Sequence, residues 1–226
     1  MRLDLHLHTT RSDGAFAPEA VAAAAARAGL HAIAITDHDT ADGVAPARAA
    51  AAREGRLRVL AGIELSCTEG GADLHLLGYG IDPADPGLSA LAARLAVLRR
   101  ERLGEIVARL NALGVAIGVT DVSPPAGNLA VGRPHVAEAL MRLGSVTTVQ
   151  EAFGRFLRDG GPAHVPHRGP APAEAIRAVH EAGGVAVWAH PGLEDARRFP
   201  AFRGLGLDGV EALRPSLAPT ASAAME

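Results

Sequence analysis

The sequence predicts an α/β fold built on a parallel sheet or barrel, and three observations predict it. Short apolar segments alternate with Ala-rich segments that carry helix start and stop signals, which is the βα rhythm of such folds. The segment His31–Thr36 is nearly apolar throughout, as expected of a strand covered on both faces. Residues able to ligate metal ions, namely His6, His8, Asp13, Asp37, His38, Glu64 and His190, fall at or just past the ends of predicted strands. That is where parallel barrels place their chemistry.

The first strand is Leu3–Leu7, followed by His8-Thr9-Thr10-Arg11-Ser12-Asp13-Gly14. Side chains alternate along a strand, so His6 and His8 share one face while Leu3, Leu5 and Leu7 share the other. Two imidazoles on one face, with a carboxylate five residues later, can converge on a cation. Imidazole with carboxylate suits Zn²⁺, Mn²⁺ or Fe²⁺ better than Ca²⁺ or Mg²⁺. Pro18-Glu19 and Gly29 bracket a first helix. The strand His31–Thr36 ends in Asp37-His38-Asp39, a second helix runs from about Pro46 to Glu54, and a third strand spans Leu57–Cys67 with Glu64 near its end. The Gly-rich link Glu69-Gly70-Gly71 predicts a hairpin to the next strand, Ala72–Tyr79, which carries His75 within it.

The rhythm then changes. Leu91, Leu95, Leu98, Leu103, Ile106 and Leu110 recur at helical steps, predicting a helix from Leu88 to about Gly114 with Arg residues on much of its other face. A loop at Pro124–Asn128 is followed by helices from Arg133-Pro134-His135 to about Leu143 and from Thr148 to Leu157. Residues 83–166 therefore read as a helical insertion, and residues 1–82 and 167–226 as the α/β body. That body resumes with a helix over Pro172–Ala182 and a strand Val185–Ala189 ending in His190-Pro191-Gly192. The last predicted strand contains Glu211, which stands where it could face the site, and Pro215–Glu226 reads as a loose tail.

Composition excludes several classes. A net charge of −3 gives no case for a duplex nucleic-acid binder, and no run approaches a membrane span. The single cysteine, Cys67, rules out an internal disulfide framework and fits a reducing cytoplasm. All 22 basic residues are Arg, and they come with abundant Ala, which reads as codon bias. Neither Ser12, Ser66 nor Cys67 lies in the strand–turn–helix context of an activated nucleophile.

The ordered motifs D-L-H-L-H-T-x-x-S-D-G, I-T-D-H-D-T, G-I-E-L-S, L-H-L-L-G-Y, G-R-P-H and W-A-H-P-G resemble those of the polymerase and histidinol phosphatase (PHP) family. The likeness is to its small phosphoesterases acting on nucleoside 3′,5′-bisphosphates and RNA 5′ ends. The resemblance implies a distorted (βα)7-type barrel with two or three divalent ions of Mn, Zn or Fe. His6 and His8 would hold one, Glu64 would bridge it to a second completed by His75 and His190, and Asp13 and His38 would belong to the third. Glu64, His38 and Asp13 would act in catalysis, with water activated at the metals. Arg133 and His135 match the family's insertion motif and are expected to bind a substrate phosphate, with helix capping the competing role for His135. Asp37 and Asp39 are expected to orient His38. His164 and His167 are loop histidines that could line the cleft, and His31 and His180 read as structural.

The family's closing Gly-Ser-Asp-x-His strand has no counterpart here, so the barrel is expected to be incomplete at its C-terminal side and the third metal short of a ligand. Open sheet edges invite pairing with another chain, and the sequence leaves the oligomeric state open. The expected function is hydrolysis of a phosphate ester of a nucleotide or short RNA. The rivals are an impaired metal- or nucleotide-binding module and a metabolite phosphatase of the histidinol-phosphatase type.

Overall fold

The computed structural model describes residues 1–122 and 130–212. The predicted loop at Pro124–Asn128 and the predicted tail from Pro215 lie outside these residues.

Strand β1 (Leu3–Leu7) leads to helix α1 (Pro18–Arg27), where Pro18 opens the first turn, Glu19 follows it and Arg27 closes the last. Acid at the start and base at the end complement the helix dipole. Strand β2 (Ala32–Ile35), helix α2 (Val44–Glu54) and strand β3 (Arg58–Glu69) follow, and α2 stops at Gly55 in a left-handed cap. Strand β4 (Ala72–Tyr79) returns from β3 as the predicted hairpin. Helix α3 (Pro86–Ala112) is capped by the Asp85 side chain, which accepts the Leu88 N–H at 2.8 Å. Helices α4 (Arg133–Arg142) and α5 (Val149–Ala152) come next, and α5 runs into a π-turn over Phe153–Leu157 where a plain helix was expected. Helix α6 (Pro172–Glu181), strand β5 (Val185–Trp188), a 3₁₀ turn at Leu193–Arg198, helix α7 (Phe199–Gly204) and the short β6 (Gly209–Val210) complete the described chain.

The six strands form one sheet in sequence order. Pairs β1–β2, β2–β3 and β5–β6 are parallel, while β4 runs antiparallel to both its neighbours. The sheet curls into a half-barrel, and its two edge strands meet through side chains: His6 of β1 lies 3.0 Å from Glu211, just after β6. The distorted barrel expected to be incomplete is present with six strands among the described residues.

Two apolar clusters hold the molecule. The first packs Ile33, Ile35, Ile63 and Leu65 of the sheet against alanines of α1 and α2 and against Ile176 and Val179 of α6. Alanine lets those helices lie close to the strands. The second gathers Val136, Leu140, Phe156, Leu157 and Val165. Helix α3 serves both, with Leu88, Leu91 and Leu95 in the first and Leu103, Ile106 and Leu110 in the second. One Arg breaks the expected polar face of α3: Arg99 is buried. Among the described residues no helix is long and apolar enough to cross a membrane.

Candidate metal centre

The site is organised around Glu64, which is 1% exposed in the middle of β3 rather than near its end as expected. Its two carboxylate oxygens face different sets of imidazoles. Oε2 lies 3.2 Å from His6, 3.0 Å from His8 and 3.3 Å from His38, while Oε1 lies 2.9 Å from His75 and 3.1 Å from His190. Asp13 extends the first set, 3.1 Å from His8 and 3.7 Å from His38. Three groups have their ligand atoms mutually within 4.8 Å: His6, His8 and Glu64; His8, Asp13 and His38; His38, Glu64 and His75. All seven predicted ligands therefore converge.

The reason lies in the strand ends. His6 and His8 share a face of β1 as alternation requires, and Gly14 folds the following turn back so tightly that a Cβ there would fall 2.4 Å from the His8 carbonyl. That approach brings Asp13 beside His8. The loop after β2 continues the sheet by one bridge, His38 to Glu64. Asp39 and His190 are the described non-glycine residues with positive φ, at 54° and 37°. Such backbone is costly for side-chain-bearing residues and gathers at functional sites.

Asp37 and Asp39 hold the segments beside His38, Thr9 and Ser12 on one side and Ser66 and Arg99 on the other. Asp37 accepts from the Thr9 amide, the Thr9 hydroxyl and the Ser12 hydroxyl at 2.7–2.8 Å. Asp39 accepts from the Ser66 amide at 2.7 Å and from Arg99 Nε at 2.5 Å, and Arg99 Nη2 donates to the Ser66 hydroxyl at 2.7 Å. The His38 Nδ1, 3.3 Å from Glu64 Oε2, is buried and makes no hydrogen bond among the described residues.

Electrostatics follow from burial around one carboxylate. Burial disfavours charge on His6 and His8, but the hydrogen bonds to Glu211 and Glu64, and to Asp13 and Glu64, outweigh it and push them up to about 9 and about 10. Burial prevails at His38, which is pushed down to about 3. Glu64 is held well below the usual carboxylate range, because the surrounding imidazoles outweigh its burial.

The donor set fits divalent ions. Facing ring nitrogens stand only 3.1 Å apart between His6 and His8 and 3.2 Å between His75 and His190. An orphaned buried nitrogen on His38 and a carboxylate that serves two sets of imidazoles are what cations placed between them would satisfy.

Beside the centre lies a cleft of about 180 Å³. Its walls include His38 and His75 from the centre, Arg99 and Arg102 of α3, Arg133 at the start of α4, and His167. Arg133 also contacts Asp159 and the Leu157 carbonyl, and approaches Asp73 at 3.9 Å. His135 takes the capping position, its Nδ1 accepting the Gly132 N–H at 3.1 Å from within the first turn of α4. His164 pairs with Asp159 at 3.4 Å, His180 with Asp208 at 2.8 Å, and His31 accepts the Arg2 N–H. Sequence reasoning missed Arg99 and Arg102, since Arg on a long helix reads as solvent-facing; the Leu periodicity fixes one face without revealing what packs on the other.

Comparison with known proteins agrees with this geometry. Residues 4–104 match the model of the PHP domain. The chain is 39% identical over 217 residues to the 3′,5′-nucleoside bisphosphate phosphatase of Chromobacterium violaceum, covering 92% of this chain and 75% of that protein. It is 34% identical over 190 residues to the 5′-3′ exoribonuclease Rnm of Escherichia coli, covering 84% of this chain and 65% of that protein. A Bifidobacterium adolescentis structure described as a metal-dependent phosphoesterase superposes with a TM-score of 0.90 at 30% identity, covering all of this chain and 82% of that one. The curled sheet, the clustered imidazoles around one buried carboxylate and these likenesses together establish that the chain belongs to the PHP domain family.

Proposed function

We propose that this protein is a metal-dependent phosphoesterase that hydrolyses a phosphate ester of a nucleotide, a nucleoside 3′,5′-bisphosphate or the 5′ end of a short RNA. The observation that carries the reading is Glu64, whose two oxygens each face a separate set of imidazoles. His6, His8 and Glu64 would hold one ion, Glu64, His75 and His190 a second, and Asp13 with His38 a third. Imidazole and carboxylate favour Mn, Zn or Fe. Ions so held supply charge stabilisation to both oxygens of an in-line displacement and lower the pKa of water near them.

The chain's own residues do the rest. Glu64, kept ionised by its imidazole neighbours, fixes the spacing of the two sets. His38 stays neutral and presents a lone pair. Glu211 accepts the His190 backbone N–H at 2.7 Å and contacts His6, so one carboxylate ties a ligand on edge strand β1 to another just past β5. Arg133, at the mouth of the cleft, offers a guanidinium fork to a substrate phosphate. His135 supports that arm by capping α4. The buried, unpaired Cys67 fits a cytoplasmic setting.

The test is metal analysis of the purified protein joined to a phosphate-release assay over nucleoside bisphosphates, mononucleotides and 5′-phosphorylated oligoribonucleotides. Metal-dependent release from one of these classes is expected. A protein that binds no divalent metal, or binds it and releases no phosphate, would overturn the proposal.

A further inference from the structure

His167 is held more firmly than a loop histidine requires. Its backbone N–H donates to Asp73 at 3.1 Å, and its carbonyl accepts from the Thr68 hydroxyl at 3.1 Å. Two residues on, Gly169 donates to the same hydroxyl at 2.9 Å and presses so close to β3 that a Cβ would fall 2.1 Å from the Ser66 carbonyl. The segment is thus fastened to both arms of the β3–β4 hairpin. Yet the side chain it positions is 5% exposed, and neither ring nitrogen has a hydrogen-bond partner among the described residues. Arg102 repeats the pattern: Nε donates to the Val165 carbonyl at 2.7 Å, while Nη2 is buried without a hydrogen bond, 3.5 Å from Asp73. Both residues line the cleft beside the metal centre.

Buried polar atoms without partners are costly, and native structures keep few of them. Two imidazole nitrogens without a hydrogen bond and a guanidinium nitrogen whose partner is Asp73 at 3.5 Å share one cleft, which describes a surface built for a guest. A neutral imidazole carries one donor and one acceptor, which complements a hydroxyl. A guanidinium nitrogen offers only donors, which complements an anionic oxygen. Burial and the neighbouring Arg99 push His167 down to about 4, so it is the neutral form that the guest meets.

We propose that His167 and Arg102 form a recognition subsite for the alcohol half of the substrate, the imidazole meeting a sugar hydroxyl and the guanidinium an anionic substituent on that sugar. The inference rests on the phosphoesterase reading above and adds to it. The site would select phosphorylated sugars over simple esters by contacts made away from the reacting phosphorus.

The experiment compares adenosine 3′,5′-bisphosphate with p-nitrophenyl phosphate, which has neither hydroxyl nor second anion, on the metal-loaded full chain. His167→Leu and Arg102→Gln should each lower kcat/KM for the bisphosphate by about tenfold or more, the scale of one lost hydrogen bond in a buried site. Hydrolysis of the nitrophenyl ester and metal content should stay unchanged. His167→Gln, which keeps a donor and an acceptor, should recover part of the loss. Equal loss on both substrates would make the residues merely structural, and no loss on either would leave them without a role; both results overturn the proposal. If the wild-type chain turned over neither ester, the phosphoesterase reading would fail by itself. Calorimetric binding of the bisphosphate then decides this inference: a tenfold weakening in His167→Leu supports it, and unchanged or absent binding overturns it.

Discussion

Arg99→Leu is the substitution that best tests how the centre is held. Arg99 is 6% exposed and Asp39 is 4% exposed, and the guanidinium ties the Asp39 carboxylate to the Ser66 hydroxyl. Leucine fills much of the same volume but leaves Asp39 with the Ser66 amide as its remaining hydrogen-bond donor. Removing one partner of a buried pair costs about 3–5 kcal/mol, because the other charge is left uncompensated. For a chain of this size that corresponds to roughly 6–20 °C in Tm at about 2–4 °C per kcal/mol. The assay is urea and thermal unfolding of the metal-free protein, with Asp39→Asn and the double variant completing a cycle. The double variant should recover a large part of the loss, because it removes the stranded charge. Burial alone would raise the Asp39 pKa, but Arg99 and the Ser66 amide outweigh it and lower it. A carboxylate with a lowered folded pKa contributes stability above its unfolded value of about 3.9 that is lost as pH falls through the folded value. The gap between wild type and Arg99→Leu should therefore narrow in acid. A loss under about 1 kcal/mol, or additive single effects in the cycle, would refute the reasoning.

Glu64→Gln should lower metal content and abolish turnover together, with affinity falling by more than about 100-fold, since outer-shell losses alone cost 10–100-fold; full metal retention in elemental analysis would end the bridging role. Arg133→Ala should cut kcat/KM by about 100-fold, the scale of a lost charge-assisted phosphate contact of roughly 1.5–3 kcal/mol, without moving metal content; unchanged kinetics would assign the arm elsewhere. In the metal-free protein His6 and His8 are raised to about 9 and about 10. Their contribution to stability is fully present below the unfolded value of about 6.5 and is lost as pH climbs through those folded values. Metal uptake near pH 7.5 should accordingly release protons, read by calorimetry in buffers of different ionisation enthalpy, and uptake with no proton release would contradict the charge state drawn here.

Much of this protein is local in its causes. Alternation on β1 puts His6 and His8 on one face, Pro18 and Gly29 bracket α1, and Glu69-Gly70-Gly71 makes the β3–β4 hairpin, because each depends on residues a few positions apart. The metal-type residues at the ends of β1, β2 and β5 were legible for the same reason, whereas Glu64 and His75 lie inside β3 and β4. Asp37 and Asp39 were legible as neighbours of His38, but sequence gives a neighbour without giving its direction. Both carboxylates turn away to hold Thr9, Ser12, Ser66 and Arg99.

By itself, the sequence determined the order of strands and helices and the hairpin, and it named the seven metal-type residues that converge. Only the tertiary structure decided which imidazoles face which oxygen of Glu64, that Glu211 crosses from the last strand to His6, and that Arg99 and Arg102 turn inward. It alone decided that His167 lines the cleft beside the centre. Contacts such as His6 with Glu64 and His6 with Glu211 join residues 58 and 205 positions apart. Local propensity acts over a turn or a strand. Which side chains meet across such distances is fixed by how the sheet curls and what packs on α3.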